Sequence, residues 1–204
     1  MLRAVMIVIA EYAGVLVVGQ TMQFLLHSAF GGRSAPPLVW NIGGIAATAV
    51  YFGYVYYRDR GNMWRWGKPS PKSLEWLFCV LTGLALARGL PGLMLAASRV
   101  RLLLRPWESA ALEACLLAPL REEILYRGYL LRRLSALTGL WPALVISGLL
   151  FGMGHPDPLR TAAWGVAVGY LYSPLGTGRL AAVIVLHMAW NLTVSIRPWI
   201  PMGH

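Results

Sequence analysis

The sequence predicts an all-α fold, a polytopic transmembrane helical bundle of about seven membrane helices, some of them short or broken. Three observations predict it. The 204 residues are 57% hydrophobic and only 13% charged, whereas soluble domains carry about 25% charged residues, and the mean hydropathy is +0.58. Several apolar runs approach the roughly 20 residues that cross a bilayer as helix. The charges fall mostly between those runs. One integrated membrane domain follows, with no room for a separate soluble one.

The elements can be justified in order. The first span covers about 4–26. Its positive start and apolar run resemble a signal peptide, but Glu11 interrupts it and no small-x-small site follows, so it reads as a retained span. Residues 27–37 form a loop, broken by Gly31, Gly32, Pro36 and Pro37. The second span covers about 38–57, with Asn41 as a packing or interfacial amide. The stretch 58–72 is the strongest basic loop, with Arg58, Arg60, Arg65, Lys68 and Lys72 against Asp59. The positive-inside rule assigns it, and with it the N-terminus, to the cytoplasm. Trp64, Trp66 and Trp76 suit the headgroup level.

Residues 74–98 are apolar but carry Arg88, Gly89, Pro91 and Gly92, so one tilted span and a broken pair both fit. The central segment runs from about Trp107 to Leu137, started by Pro106 and kinked at Pro119. A short span follows at about 141–154, ending at His155-Pro156. Another covers about 159–172 with Gly165 and Gly169 in GxxxG spacing. The last runs from about Arg179 to Ile196, closed by Pro198.

The formal net charge is +10, from 18 Lys+Arg against 8 Asp+Glu. Charges placed between apolar segments serve topology and anionic lipid headgroups, and exclude a nucleic-acid partner. Cys79 and Cys115 lie in apolar stretches without CxxC spacing, as small hydrophobes.

The exceptions to this charge pattern carry the chemistry. An acidic residue inside a membrane segment is costly, and marks a functional site. Glu122 and Glu123 are adjacent, so about 100° of helical turn separates them. Glu123 and Arg127 are i,i+4 and can pair. Glu122 has no such counter-ion and shares its face with Cys115, Pro119, Tyr126 and Tyr129. It is the better general base, with Glu123 and Arg127 orienting the site. The competing reading makes Arg121, Glu122, Glu123, Arg127, Arg132 and Arg133 one solvated helix end. His187 and Asn191 are also i,i+4 in the middle of an apolar run, and a polar pair there needs a polar target. His155 adds a third candidate. Glu122, His155 and His187 would also make a zinc site with an open position, although no HExxH is present. No GxSxG element offers a nucleophilic serine. Asp59 and Asp157 both lie in loops, so a two-aspartate site is unsupported.

The order Glu122-Glu123-xxx-Arg127, then Phe151-xxx-His155, then His187-xxx-Asn191, resembles the CPBP family of intramembrane proteases. That family includes the CAAX prenyl endopeptidases and the bacterial Abi-type proteins. The resemblance covers 107–198 as the catalytic core helices, leaving 1–106 as variable N-terminal membrane helices. It implies that Glu122 activates the attacking water with His155 sharing it. His187 and Asn191 would stabilise the oxyanion, with Glu123, Arg127 and Phe151 in support. It favours a glutamic-type mechanism with no cofactor over a metalloprotease holding zinc. The implied partners are the lipid bilayer and a membrane-anchored peptide or protein substrate. The basic residues are nearly all arginine, which points to a bacterium and its cytoplasmic membrane. A non-catalytic immunity or partner-binding protein on the same scaffold is the first competing function. A small proton-relay transporter is the second, without the inverted repeat often seen there.

Overall fold

The computed structural model describes residues 1–29, 37–59, 62–64, 66 and 112–196. Among the described residues the chain is helical, with no strand, and forms six main helices. These are α1 (Leu2–Ala29), α2 (Pro37–Asp59), α3 (113–138), α4 (Leu140–Met153), α5 (Pro158–Tyr172) and α6 (Leu180–Ile196). The expected count of about seven membrane helices is not reached among the described residues. The expected span at 74–98 and the basic loop after it lie outside them, as do Cys79 and Trp76.

Helix boundaries fall close to the expected ones, with one correction. His27 was expected in a loop, but α1 continues through Ala29, because the first backbone breakers come only at Gly31 and Gly32. The helix α1 is long and apolar enough over Leu2–Leu26 to cross a membrane, and α4 and α6 are shorter apolar helices. Large apolar side chains face outward on several elements, including Val17 and Phe24 of α1, Phe52 of α2, Val145 and Leu149 of α4 and Val185 of α6. Outward apolar side chains on so many elements suit a lipid surrounding.

The central helix α3 touches every other helix and carries the core. Pro119 does not break it. Residues 117, 122, 123 and 131 all keep right-handed helical backbone. The helix instead widens. Over Glu113–Leu117 it adopts π-type turns, and the N–H of Ala118 donates to the carbonyl of Glu113, five residues back. A proline ring clashes with the carbonyl four residues before it, and a widened turn relieves that clash. A second wide stretch covers Glu123–Leu131, all of whose residues are buried. Wide turns of this kind are rare and collect at functional sites.

Helices α4 and α5 pack closely. A side chain on Gly165 would place its first carbon 3.1 Å from the Cα of Gly148, and one on Gly148 would sit 2.9 Å from the Ala162 carbonyl. Gly148 and Gly152 on α4 thus repeat the GxxxG spacing expected only on α5. The connection is short because Asp157 caps α5, accepting from the Arg160 N–H at 3.3 Å, and Pro158 opens the helix. Gly139, with φ +83°, makes the turn between α3 and α4. At the other end, Tyr172 donates to the Met63 carbonyl at 2.5 Å and the Trp66 N–H donates to the Gly178 carbonyl at 2.7 Å. These bonds fasten the segment after α2 onto the loop between α5 and α6.

Candidate active site

Glu123 lies at the centre of the polar network. Its side chain is 0% exposed and Arg127 is 1% exposed, with Arg127 Nη1 donating to Glu123 Oε1 at 2.9 Å. The ion pair expected from the i,i+4 spacing therefore forms in the core. Arg127 Nη2 donates to the Gly165 carbonyl at 3.1 Å, reached because α5 lacks a side chain there. Its guanidinium carbon lies 4.5 Å from the centre of the Phe151 ring, a cation over an aromatic face. Phe151 thus supports Arg127 from α4.

The same Glu123 oxygen accepts from His187 Nδ1 at 2.7 Å. An ionised carboxylate only accepts, so this nitrogen carries the proton. The Nδ1 of His155 sits 2.8 Å from the Phe151 carbonyl, also an acceptor only. Both rings therefore present Nε2 outward, as a bare acceptor when the ring is neutral. Both present it to Glu122. Glu122 Oε2 is 3.7 Å from His187 Nε2 and 3.9 Å from His155 Nε2. These distances are too long for direct hydrogen bonds and suit a bridging water.

The two glutamates differ as expected. Glu123 is sealed and paired, whereas the Glu122 side chain is 27% exposed. Glu122 and His155 border a cavity of about 420 Å³ between α1, α2, α3 and α4, whose walls include Tyr12, Leu16, Tyr51 and Tyr126. His155 also borders a second cavity of about 270 Å³, together with His187, Asn191, Trp164 and Trp190. The site thus lies where two openings meet. Asn191 is half-buried, and its Nδ2 donates to the Ala114 carbonyl at 2.8 Å.

The reading of this region as one solvated helix end is corrected. Arg121, Glu123 and Arg127 are buried. Arg132 and Arg133 are the partly exposed part: Arg132 pairs with Asp59 at 2.5 Å and Arg133 lies 3.8 Å from Glu11. Several partners had no sequence signal. Arg121 pairs with Glu113, two turns back and beyond the one-turn pairs that helical spacing selects. Glu11 accepts from Tyr129 and Arg58, tying α1 and α2 to α3.

Glu122, His155 and His187 have the donor chemistry for zinc, and Glu123 behind His187 is the kind of outer partner that metal-bound histidines have. Among the described residues no group of His, Cys, Asp or Glu stands at metal-holding spacing.

In comparisons with known proteins, no curated protein and no solved structure matches the chain. Residues 106–193 match the family model described as Rce1-like, type II CAAX prenyl endopeptidase. The match contains Glu122, Glu123, Arg127, Phe151, His155, His187 and Asn191. This match agrees with the CPBP resemblance of its motifs.

Proposed function

We propose that this protein is an intramembrane endopeptidase that hydrolyses a peptide bond of a membrane-anchored peptide or protein with a water activated by Glu122. The observation that carries the reading is the approach of one carboxylate oxygen to two imidazole Nε2 atoms, one from α6 and one from the connection between α4 and α5, at 3.7 and 3.9 Å.

Proton counting assigns the roles. A water between Glu122, His155 and His187 has two hydrogens to give. It can satisfy Glu122 and His155, both acceptors. His187 then serves best as a donor in its imidazolium form, with Nδ1–H on Glu123 and the added proton on Nε2 aimed at the reacting centre. The water oxygen forms a bond to the scissile carbonyl carbon while Glu122 takes its proton. The carbonyl oxygen becomes an oxyanion, stabilised by His187 Nε2–H, which is the large electrostatic contribution in such reactions. Glu122 then hands the proton to the departing amine as the C–N bond breaks. Glu123 and Arg127 hold the His187 ring in this orientation. The cavities on either side give the chain of a substrate a way in and out, and water a path to the carboxylate.

A zinc-dependent version of the same protease is the second reading, favoured by the carboxylate behind His187. Cleavage assays in liposomes test both. Glu122→Gln and His155→Ala should each cut cleavage of a membrane peptide by orders of magnitude while the unfolding midpoint stays near wild type; His187→Ala should do the same to cleavage and also lower the midpoint, because it removes a donor to the buried Glu123. Full activity in Glu122→Gln would overturn the proposed base. Loss of activity to a chelator with recovery on adding zinc would replace the metal-free mechanism. A non-catalytic partner-binding protein would show no cleavage in any variant, wild type included.

A further inference from the structure

The widened turn of α3 leaves one carbonyl without its backbone donor. Over Glu113–Leu117 the register is i to i−5, as the bond from the Ala118 N–H to the Glu113 carbonyl shows. The next bond in that register would run from residue 119 to the carbonyl of Ala114. Residue 119 is proline and has no N–H. A carbonyl left unpaired in an apolar surrounding costs free energy, and the fold supplies a substitute. Asn191 of α6 donates its Nδ2–H to the Ala114 carbonyl at 2.8 Å.

The consequence is mechanical. Glu122 lies three residues after Pro119, and His187 lies one helical turn before Asn191. The bond therefore joins the two helices that carry the base and the candidate oxyanion donor, close to both. We propose that Asn191 is a positioning residue that replaces the missing N–H of Pro119, fixing α6 against α3 so that His187 and Glu122 stand at working distance. In this role it acts through α3. Pro119 and Asn191 form one unit: the proline widens the turn before Glu122 and the asparagine completes its hydrogen bonding.

The test is a double-mutant cycle on the full chain in detergent and in liposomes, with Asn191→Ala, Pro119→Ala and the double variant. Pro119→Ala restores an N–H that can reach the Ala114 carbonyl in the wide register, or let the turn tighten. Two readouts are taken. The first is the thermal unfolding midpoint, which needs no substrate. Asn191→Ala should lower it in the wild-type background and leave it nearly unchanged in the Pro119→Ala background. Equal losses in both backgrounds would overturn the pairing. The second is cleavage of a membrane peptide, which rests on the endopeptidase reading. Asn191→Ala should lose about a hundredfold, the scale of a small misplacement of reacting groups. The double variant should recover most of that loss, relative to Pro119→Ala. No recovery would instead give Asn191 a direct hand in the chemistry and overturn the positioning role. Should Asn191→Ala fail to accumulate in membranes, accumulation of the double variant is the predicted rescue, and failure of both contradicts it. If wild type itself cleaves nothing, the endopeptidase reading fails while the unfolding cycle still decides the pairing.

Discussion

Two neighbouring carboxylates in α3 have opposite fates. Glu123 accepts from both Arg127 and His187 and sees no solvent, whereas Glu122 faces two imidazoles across a gap. Replacing each should therefore break different things. Glu122→Gln should reduce cleavage by about 10³-fold, within the usual range for a general base, and barely move the unfolding midpoint. Glu123→Gln should destabilise by about 3 kcal/mol, because it leaves Arg127 as an uncompensated buried charge, measured by denaturant unfolding in detergent. Much of this contrast was legible in the sequence, since i,i+4 spacing pairs Glu123 with Arg127 and leaves Glu122 over. The bond from His187 to Glu123 was not legible, because nothing in the spacing of 64 residues says which glutamate an imidazole meets. Nor was the partner of Asn191, a backbone carbonyl whose availability depends on the register of a distant turn.

At the scale of elements, hydropathy and breakers placed the described helices within a few residues. Proline at 119 read as a kink, and the chain adds wide turns on either side of it that the spacing did not announce. Pattern cannot see the widened register, since the sequence names the residue that clashes and not the turn that relieves the clash. The α4–α5 seam was half legible. Gly165 was expected to allow close contact, but its facing residue Gly148 was missed although Gly148 and Gly152 show the same spacing. A substitution of Gly165→Leu should force α4 and α5 apart and cost about 1–3 kcal/mol from overpacking. Because the Gly165 carbonyl accepts from Arg127, the loss should extend to cleavage. Unfolding and activity of the same variant check it, and a variant with both unchanged would contradict the seam's role.

For the whole molecule, the outward apolar side chains and the basic stretch after α2 define an orientation in the bilayer. Arg58, Asp59, Arg132 and Arg133 gather at one end, paired among themselves and with Glu11. That end should face the cytoplasm. In a chain with Cys79 and Cys115 replaced, Arg60→Cys should react with a membrane-impermeant thiol reagent only when the cytoplasmic face is accessible. Labelling from the opposite face would invert the topology. Cleavage should also survive a strong chelator, with activity retained within about twofold, since the proposed mechanism asks no metal to make the nucleophile. The central claim is that Glu122 activates water for peptide hydrolysis in the membrane. The most direct test compares, by mass spectrometry, the membrane peptides of cells carrying the wild-type chain with those carrying Glu122→Gln at equal abundance. New peptide termini should appear with wild type and vanish with Glu122→Gln. Identical peptide sets, or the same termini in both, would contradict the claim.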